Sequence, residues 1–216
     1  MLNKNINLII LSILVFLVSL STFKVLFTPI KDYGLFLSGL YNILSNYIFL
    51  ISILGVSLLL IQSKNKLLFF ILTIFLFIFI LCQIFFNMIL DFIFYYNIDF
   101  IFGFDKFPLI SLYILNIFIG ILLWFSPHKI ILKYLIVILF SFISSLHIGL
   151  KDIEAFSIKS FINYPGGNII IIIMLTGLFI YIFEFISRKY IFIGSKIFGS
   201  WLVVIGIISC LTSIIY

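Results

Sequence analysis

The sequence predicts an all-α fold, a polytopic bundle of seven transmembrane helices with the N-terminus inside and the C-terminus outside. Three observations predict it. Of the 216 residues, 65% are hydrophobic and only 9% charged, against about 25% charged in a soluble domain. No polar shell can be built from that composition. Several apolar runs reach the roughly 20 residues that span a bilayer core. The charges, finally, are sorted by side. Lys4, Lys64, Lys66, Lys129, Arg188, Lys189 and Lys196 fall on one side of the spans, with Lys133 just inside a helix. Asp32, Asp91, Asp99, Asp105, Asp152 and Glu154 fall on the other, along with Lys31, Lys106, Lys151 and Lys159. Short loops rich in Lys and Arg mark the cytoplasmic face, and this fixes the orientation.

The whole chain, 1–216, reads as a single integral membrane domain. The first span covers 5–27 and ends at Thr28-Pro29. Lys4 followed by an apolar run and Ser19-Leu20-Ser21 also fits a signal peptide. The run is long and the small-residue site poor, so a retained helix is preferred. Cleavage would leave six spans in the same orientation. The second and third spans, 35–61 and 67–91, are separated by Gln62-Ser63-Lys64-Asn65-Lys66. The fourth, 109–125, opens after Pro108, where a missing N–H has no cost. Ser126-Pro127-His128-Lys129 makes a tight hairpin to the fifth, 130–150. Tyr164-Pro165-Gly166-Gly167-Asn168 reads as a turn before the sixth, 169–186, and the seventh covers 197–216. Two outer connections are not plainly polar. The stretch 91–108 holds eight aromatic residues, and 151–163 interleaves charge with apolar residues as an interfacial helix does.

Several function classes are excluded or disfavoured. The net charge of +6 is spread over helix ends rather than gathered in a basic patch, so nucleic acid is not the partner. Cys82 and Cys210 lie inside spans and form no CxxC, which argues against a disulfide framework or a zinc site. GxSxG, Walker, HExxH and CxxCH motifs are absent. The two histidines, His128 and His147, lie toward opposite faces, so a bis-His haem is disfavoured. No cofactor is identified, and a non-enzymatic role is preferred.

Polar groups inside spans need a reason. Asn42 and Asn46 form a stripe with Ser38 on the second span. Gln83, Asn87 and Asp91 follow i, i+4, i+8 on the third, and Ser144 lies with Ser141 and His147 on the fifth. These residues are either interhelical glue or a polar path for a solute. His147, Asp152 and Glu154, with Asp91 at a similar depth, form a candidate cation site, since imidazole and carboxylate together bind divalent metals. The spacing from His147 to Asp152 is similar to part of a motif in nickel and cobalt permeases, whose next histidine is Ile153 here. The layout is also similar to that of hydrogenase and urease accessory permeases, whose paired His-rich helical motifs this chain lacks. Glu184 and Arg188 have the spacing of a helical ion pair, and Trp124 and Trp201 that of interfacial anchors. Gly199, Gly206, Cys210 and Ser213 make a stripe of small residues that packs on another span or on a membrane protein partner.

Three functions follow as expectations. The first is a small permease, or permease component, for a small solute or cation. The second is a non-catalytic structural or assembly subunit of a larger membrane complex. The third is a lipid-processing enzyme at the outer interface. The expected location is the bacterial inner (cytoplasmic) membrane, with the lipid bilayer as the constant partner.

Overall fold

A computed structural model describes residues 4–27, 34–62, 66–95, 107–125, 130–151 and 158–215. Among them the chain forms nine helices and no strand: α1 (Lys4–Phe27), α2 (Leu35–Ser45), α3 (Tyr47–Ile61), α4 (Lys66–Ile84), α5 (Phe86–Tyr95), α6 (Phe107–Phe125), α7 (Ile130–Lys151), α8 (Ile158–Glu184) and α9 (Arg188–Ile215). A helix satisfies its own backbone hydrogen bonds, which apolar surroundings require. Four helices contain a stretch long and apolar enough to cross a membrane: Ile10–Phe27, Ile131–Ile148, Asn163–Glu184 and Arg188–Ser213. Counting the bent pair α2–α3 as one span gives five. The apolar stretches Thr73–Ile84 of α4 and Leu109–Phe125 of α6 are shorter. Large apolar side chains face outward, among them Phe16 at 62%, Phe77 at 66% and Trp201 at 65% exposure. That surface is compatible with lipid as its solvent.

The centre of the bundle is α3. Its apolar residues run all round the helix, and a helix of that kind is buried on every side. Phe49, Ile53 and Leu59 are enclosed within it. Around α3 stand α2, α6, α7, α8 and α9. Phe75 of α4 stacks on Phe140 of α7, with ring centroids 5.9 Å apart. α1 is peripheral. It rests on α8 and α2, with Val25 buried and most of its span outside.

Glycines bring the backbones close at two helix crossings. Where α2 meets α8, a Cβ on Gly39 would strike the Tyr164 carbonyl oxygen, and one on Gly167 would strike the Phe36 carbonyl oxygen. Where α6 meets α9, the most extensive pairing of the fold, Gly120 and Gly199 face each other. A Cβ on Gly120 would lie 2.5 Å from the Gly199 oxygen, and one on Gly199 2.7 Å from the Gly120 oxygen. Absence of side chains lets the two backbones touch, and small residues of this kind let helices pack closely.

Five expectations need correction. The second span is not continuous, because the chain bends by 75° between α2 and α3. Asn46 leaves the helical region at φ −97° and ψ 98°, and its side chain accepts the Ile48 N–H at 3.1 Å. Its amide caps α3 and so ends α2, the usual competition of Asn with helical backbone. The third span is interrupted at Phe85 and continues as α5 to Tyr95. The run Tyr164–Asn168 is not a turn but lies inside α8, which starts at Ile158 with Pro165 in its interior. The last helix begins at Arg188, so Lys189 and Lys196 belong to its first turns. Glu184 ends α8 and Arg188 starts α9, so the two do not share a helical turn.

Gly199→Ala is expected to lower stability by about 1–3 kcal/mol, since packed helices must separate to admit the methyl group. Gly194, with open space where its Cβ would stand, should accept alanine with no loss. Thermal melts of both variants in detergent, followed by size-exclusion recovery, check this.

Candidate functional site

Asn42 and Gln83, two of the polar residues picked from the sequence, lie at separate helix junctions, each bonded to a partner of its own.

At the α2–α8 crossing, Asn42 Nδ2 donates to Asn168 Oδ1 at 3.0 Å. Asn168 Nδ2 donates in turn to the Tyr164 carbonyl at 2.8 Å. Both asparagines are buried, beside Gly39 and Gly167. The glycines bring the backbones together, and the amides fix the register. Asn46, one turn further along, is used locally as the cap of α3.

The α4–α7 junction is a ladder. Ser141 Oγ donates to the Phe75 carbonyl at 2.7 Å. One turn on, Ser145 Oγ donates to the Phe79 carbonyl at 3.4 Å. Gln83 closes the ladder, with its Nε2 at 2.8 Å from both the carbonyl oxygen and the Oγ of Ser145. Phe75, Phe79 and Gln83 on α4, and Ser141 and Ser145 on α7, follow the spacing of four that keeps residues on one helix face. Asp91, two turns beyond Gln83, is exposed on α5. The side chain of Asn87 lies outside the described residues.

At α3–α6, Ser52 Oγ lies 2.8 Å from Asn116 Oδ1 and 2.7 Å from the Ile48 carbonyl, with both side chains buried. At α6–α9, the Trp124 indole donates to Ser200 Oγ at 2.7 Å. At α3–α9, Gln62 Nε2 donates to Ser195 Oγ at 3.4 Å.

The candidate cation site is only partly placed. His147 is buried on α7, and its ring meets Phe49 of α3 edge-on at 5.1 Å and 60°. It faces the bundle interior. Asp152 and Glu154 lie outside the described residues. Among the described residues, no group of three His, Cys, Asp or Glu side chains can hold a metal ion. Ser144 is fully enclosed on the same helix, and its hydroxyl has no hydrogen-bond partner among the described residues. Between α3, α4, α7 and α8 lies a cavity of about 10 Å³, with Val56, Leu60, Phe75 and Phe140 in its wall. That is at the lower limit for one water, and an apolar wall of this kind stays dry.

The small-residue stripe on the last helix divides in two. Gly199 and Gly206 are covered by α6 of the same chain, where a Cβ on Gly206 would lie 2.7 Å from Ile117 Cγ1. Cys210 and Ser213 are half-buried.

No family model, curated protein or solved structure matches the chain.

Sequence reasoning named Asn42 and Gln83 but missed Asn168 and Ser145, their partners. Asn168 was hidden by its proline and two glycines, which read as a turn. Ser145 carried a usable signal, since it sits four residues after Ser141. Gly39 and Gly120 gave none, because a glycine's role at a crossing depends on the helix opposite.

Gln83→Leu is expected to cost about 0.6–1.7 kcal/mol, from the average to the maximum for interhelical hydrogen bonds in a membrane bundle. Asp91→Asn, on an exposed position, should change stability little. Unfolding of the two variants in mixed micelles against rising denaturing detergent checks the pair.

Proposed function

We propose that this chain is an integral membrane protein with seven crossings, cytoplasmic at its N-terminus, in the cytoplasmic membrane of a bacterium. We further propose that it serves as a non-catalytic structural or assembly subunit of a larger membrane complex. The crossings are α1, the bent pair α2–α3, α4 with α5, α6, α7, α8 and α9. Both α4 and α6 have 19 residues, about 28 Å of helix at 1.5 Å per residue. That nearly matches the roughly 30 Å hydrocarbon core. The sorting of Lys and Arg supports the orientation. The absence of an N-x-[ST] sequon fits a bacterial setting.

One observation carries the functional reading. Asn42, Gln83, Asn116 and Trp124 each bond across to a different neighbouring helix, at four junctions. A solute path would instead gather its polar groups around one opening. The partner face proposed here is α1, the least enclosed of the candidate spans, with only 6% of its apolar stretch buried. Phe16 and Phe23 point away from the bundle at 62% and 60% exposure. The Gly199–Gly206 face of α9 is already occupied by α6.

The break at Asn46 favours a second reading, the small permease. Discontinuous helices line the substrate sites of many transporters, and α2–α3 bends by 75° there.

Two experiments test these proposals. Reporter fusions after Lys64 and His128 should be active only in the cytoplasm, and fusions after Asp99 and Tyr216 only outside; both ends on one side would remove the seven-crossing arrangement. A photo-crosslinking amino acid at Phe16 or Phe23, in cells at native expression, should give one adduct of defined mass with a second membrane protein, which purifies with the chain at fixed stoichiometry. A chain that purifies alone and carries a solute in vesicles would support the permease instead.

A further inference from the structure

At the end of α6, Trp124 is held upright by two linked hydrogen bonds. Its indole N–H donates to Ser200 Oγ at 2.7 Å, and Ser200 Oγ donates to the Lys196 carbonyl at 3.1 Å. The Lys196 ammonium stands over two rings, 4.7 Å from the Phe192 centroid and 5.8 Å from the Trp124 centroid. Such contacts hold a cation without neutralising it. The rings accept none of the three N–H donors as an oxygen would. Among the described residues, no carboxylate pairs with it.

The same Trp124 and Ser200 form part of the wall of an open groove of about 340 Å³ between α6 and α9, completed by Ile121, Phe125, Val203 and Val204. The wall is almost wholly apolar and faces outward, with Phe125 at 78% exposure. Val204 lies eight residues beyond Lys196, about 12 Å along the axis. The lining therefore extends from Trp124, under the Lys196 ammonium, to a residue two turns further along the helix. Its one hydroxyl, on Ser200, is already engaged by Trp124, so the wall offers nothing to a polar solute.

We propose that this groove is a binding site for an anionic phospholipid. The phosphate sits on the Lys196 ammonium, and one acyl chain lies against Trp124, Ile121 and Val204. Charge chooses this occupant over a zwitterionic lipid. A basic side chain at the membrane surface attracts anionic headgroups, and here it is fixed in place by aromatic rings rather than swinging free. Arg188 and Lys189, exposed in the first turn of the same helix, add to the positive potential at that end. The site rests on the membrane placement proposed above.

Trp124 is itself the probe. The chain has two tryptophans, so Trp201→Phe leaves Trp124 as the sole indole. The full-length variant, after a melting check, is reconstituted in phosphatidylcholine vesicles carrying either brominated phosphatidylglycerol or brominated phosphatidylcholine at equal mole fraction. Quenching should show about a five-fold preference for the anionic lipid, the equivalent of about 1 kcal/mol for one basic side chain. Lys196→Gln should abolish the preference and Lys196→Arg should keep it. Equal quenching by the two lipids would overturn the site while leaving the membrane placement standing. Quenching by neither would overturn both. A preference that survives Lys196→Gln, or falls as far with Lys189→Gln, would show diffuse surface attraction and overturn the site as well.

Discussion

A polar group that leaves water for hydrocarbon must find its partner inside the protein, and the bundle is arranged around that requirement. The strength of the solution lies in coupling it to close backbone contact. Gly39 and Gly167 bring α2 and α8 together, and within that contact Asn42 reaches Asn168. Gly120 and Gly199 bring α6 and α9 together, and beside them Trp124 reaches Ser200. Without the glycines the amides and hydroxyls would be too far apart to bond. Without the polar pairs the helices could slide along smooth apolar surfaces, since lipid tails are as apolar as the side chains they would replace.

The same economy explains the character of the molecule. Among the described residues, the bonds of Asn42, Gln83, Asn116 and Trp124 join neighbouring helices, are spread over the bundle and pair uncharged groups. The α4–α7 ladder of Ser141, Ser145 and Gln83 uses backbone carbonyls of α4 as acceptors, so its rungs need few polar residues. α3 stands at the centre of the bundle and a lightly held helix, α1, at its edge.

Much of the fold was legible in the residues. The spans 109–125 and 130–150 match α6 and α7 within two residues, because Pro108 and the Ser126–Lys129 segment punctuate them. Asn46 was misread for a physical reason. In a uniformly apolar stretch, period alone cannot tell a polar residue on a helix face from one that caps the next helix. The run Tyr164–Asn168 was misread for the opposite reason. Its local turn chemistry is strong, yet helical packing against Gly39 overrides it. Of the site, Asn42 and Gln83 were visible, and their partners Asn168 and Ser145 were not. Pairing between residues 126 positions apart, as for Asn42 and Asn168, is a property of tertiary contact alone.

The dependence of polar bonding on glycine contact is measured most directly by a double-mutant cycle across α2 and α8. Gly39→Ala should push the helices apart and so break the Asn42–Asn168 bond. Asn168→Leu should then cost markedly less in the Gly39→Ala background than in the original chain, a coupling of at least about 0.5 kcal/mol. Two losses that simply add would contradict the claim that close backbone approach is what lets the polar groups of this bundle meet.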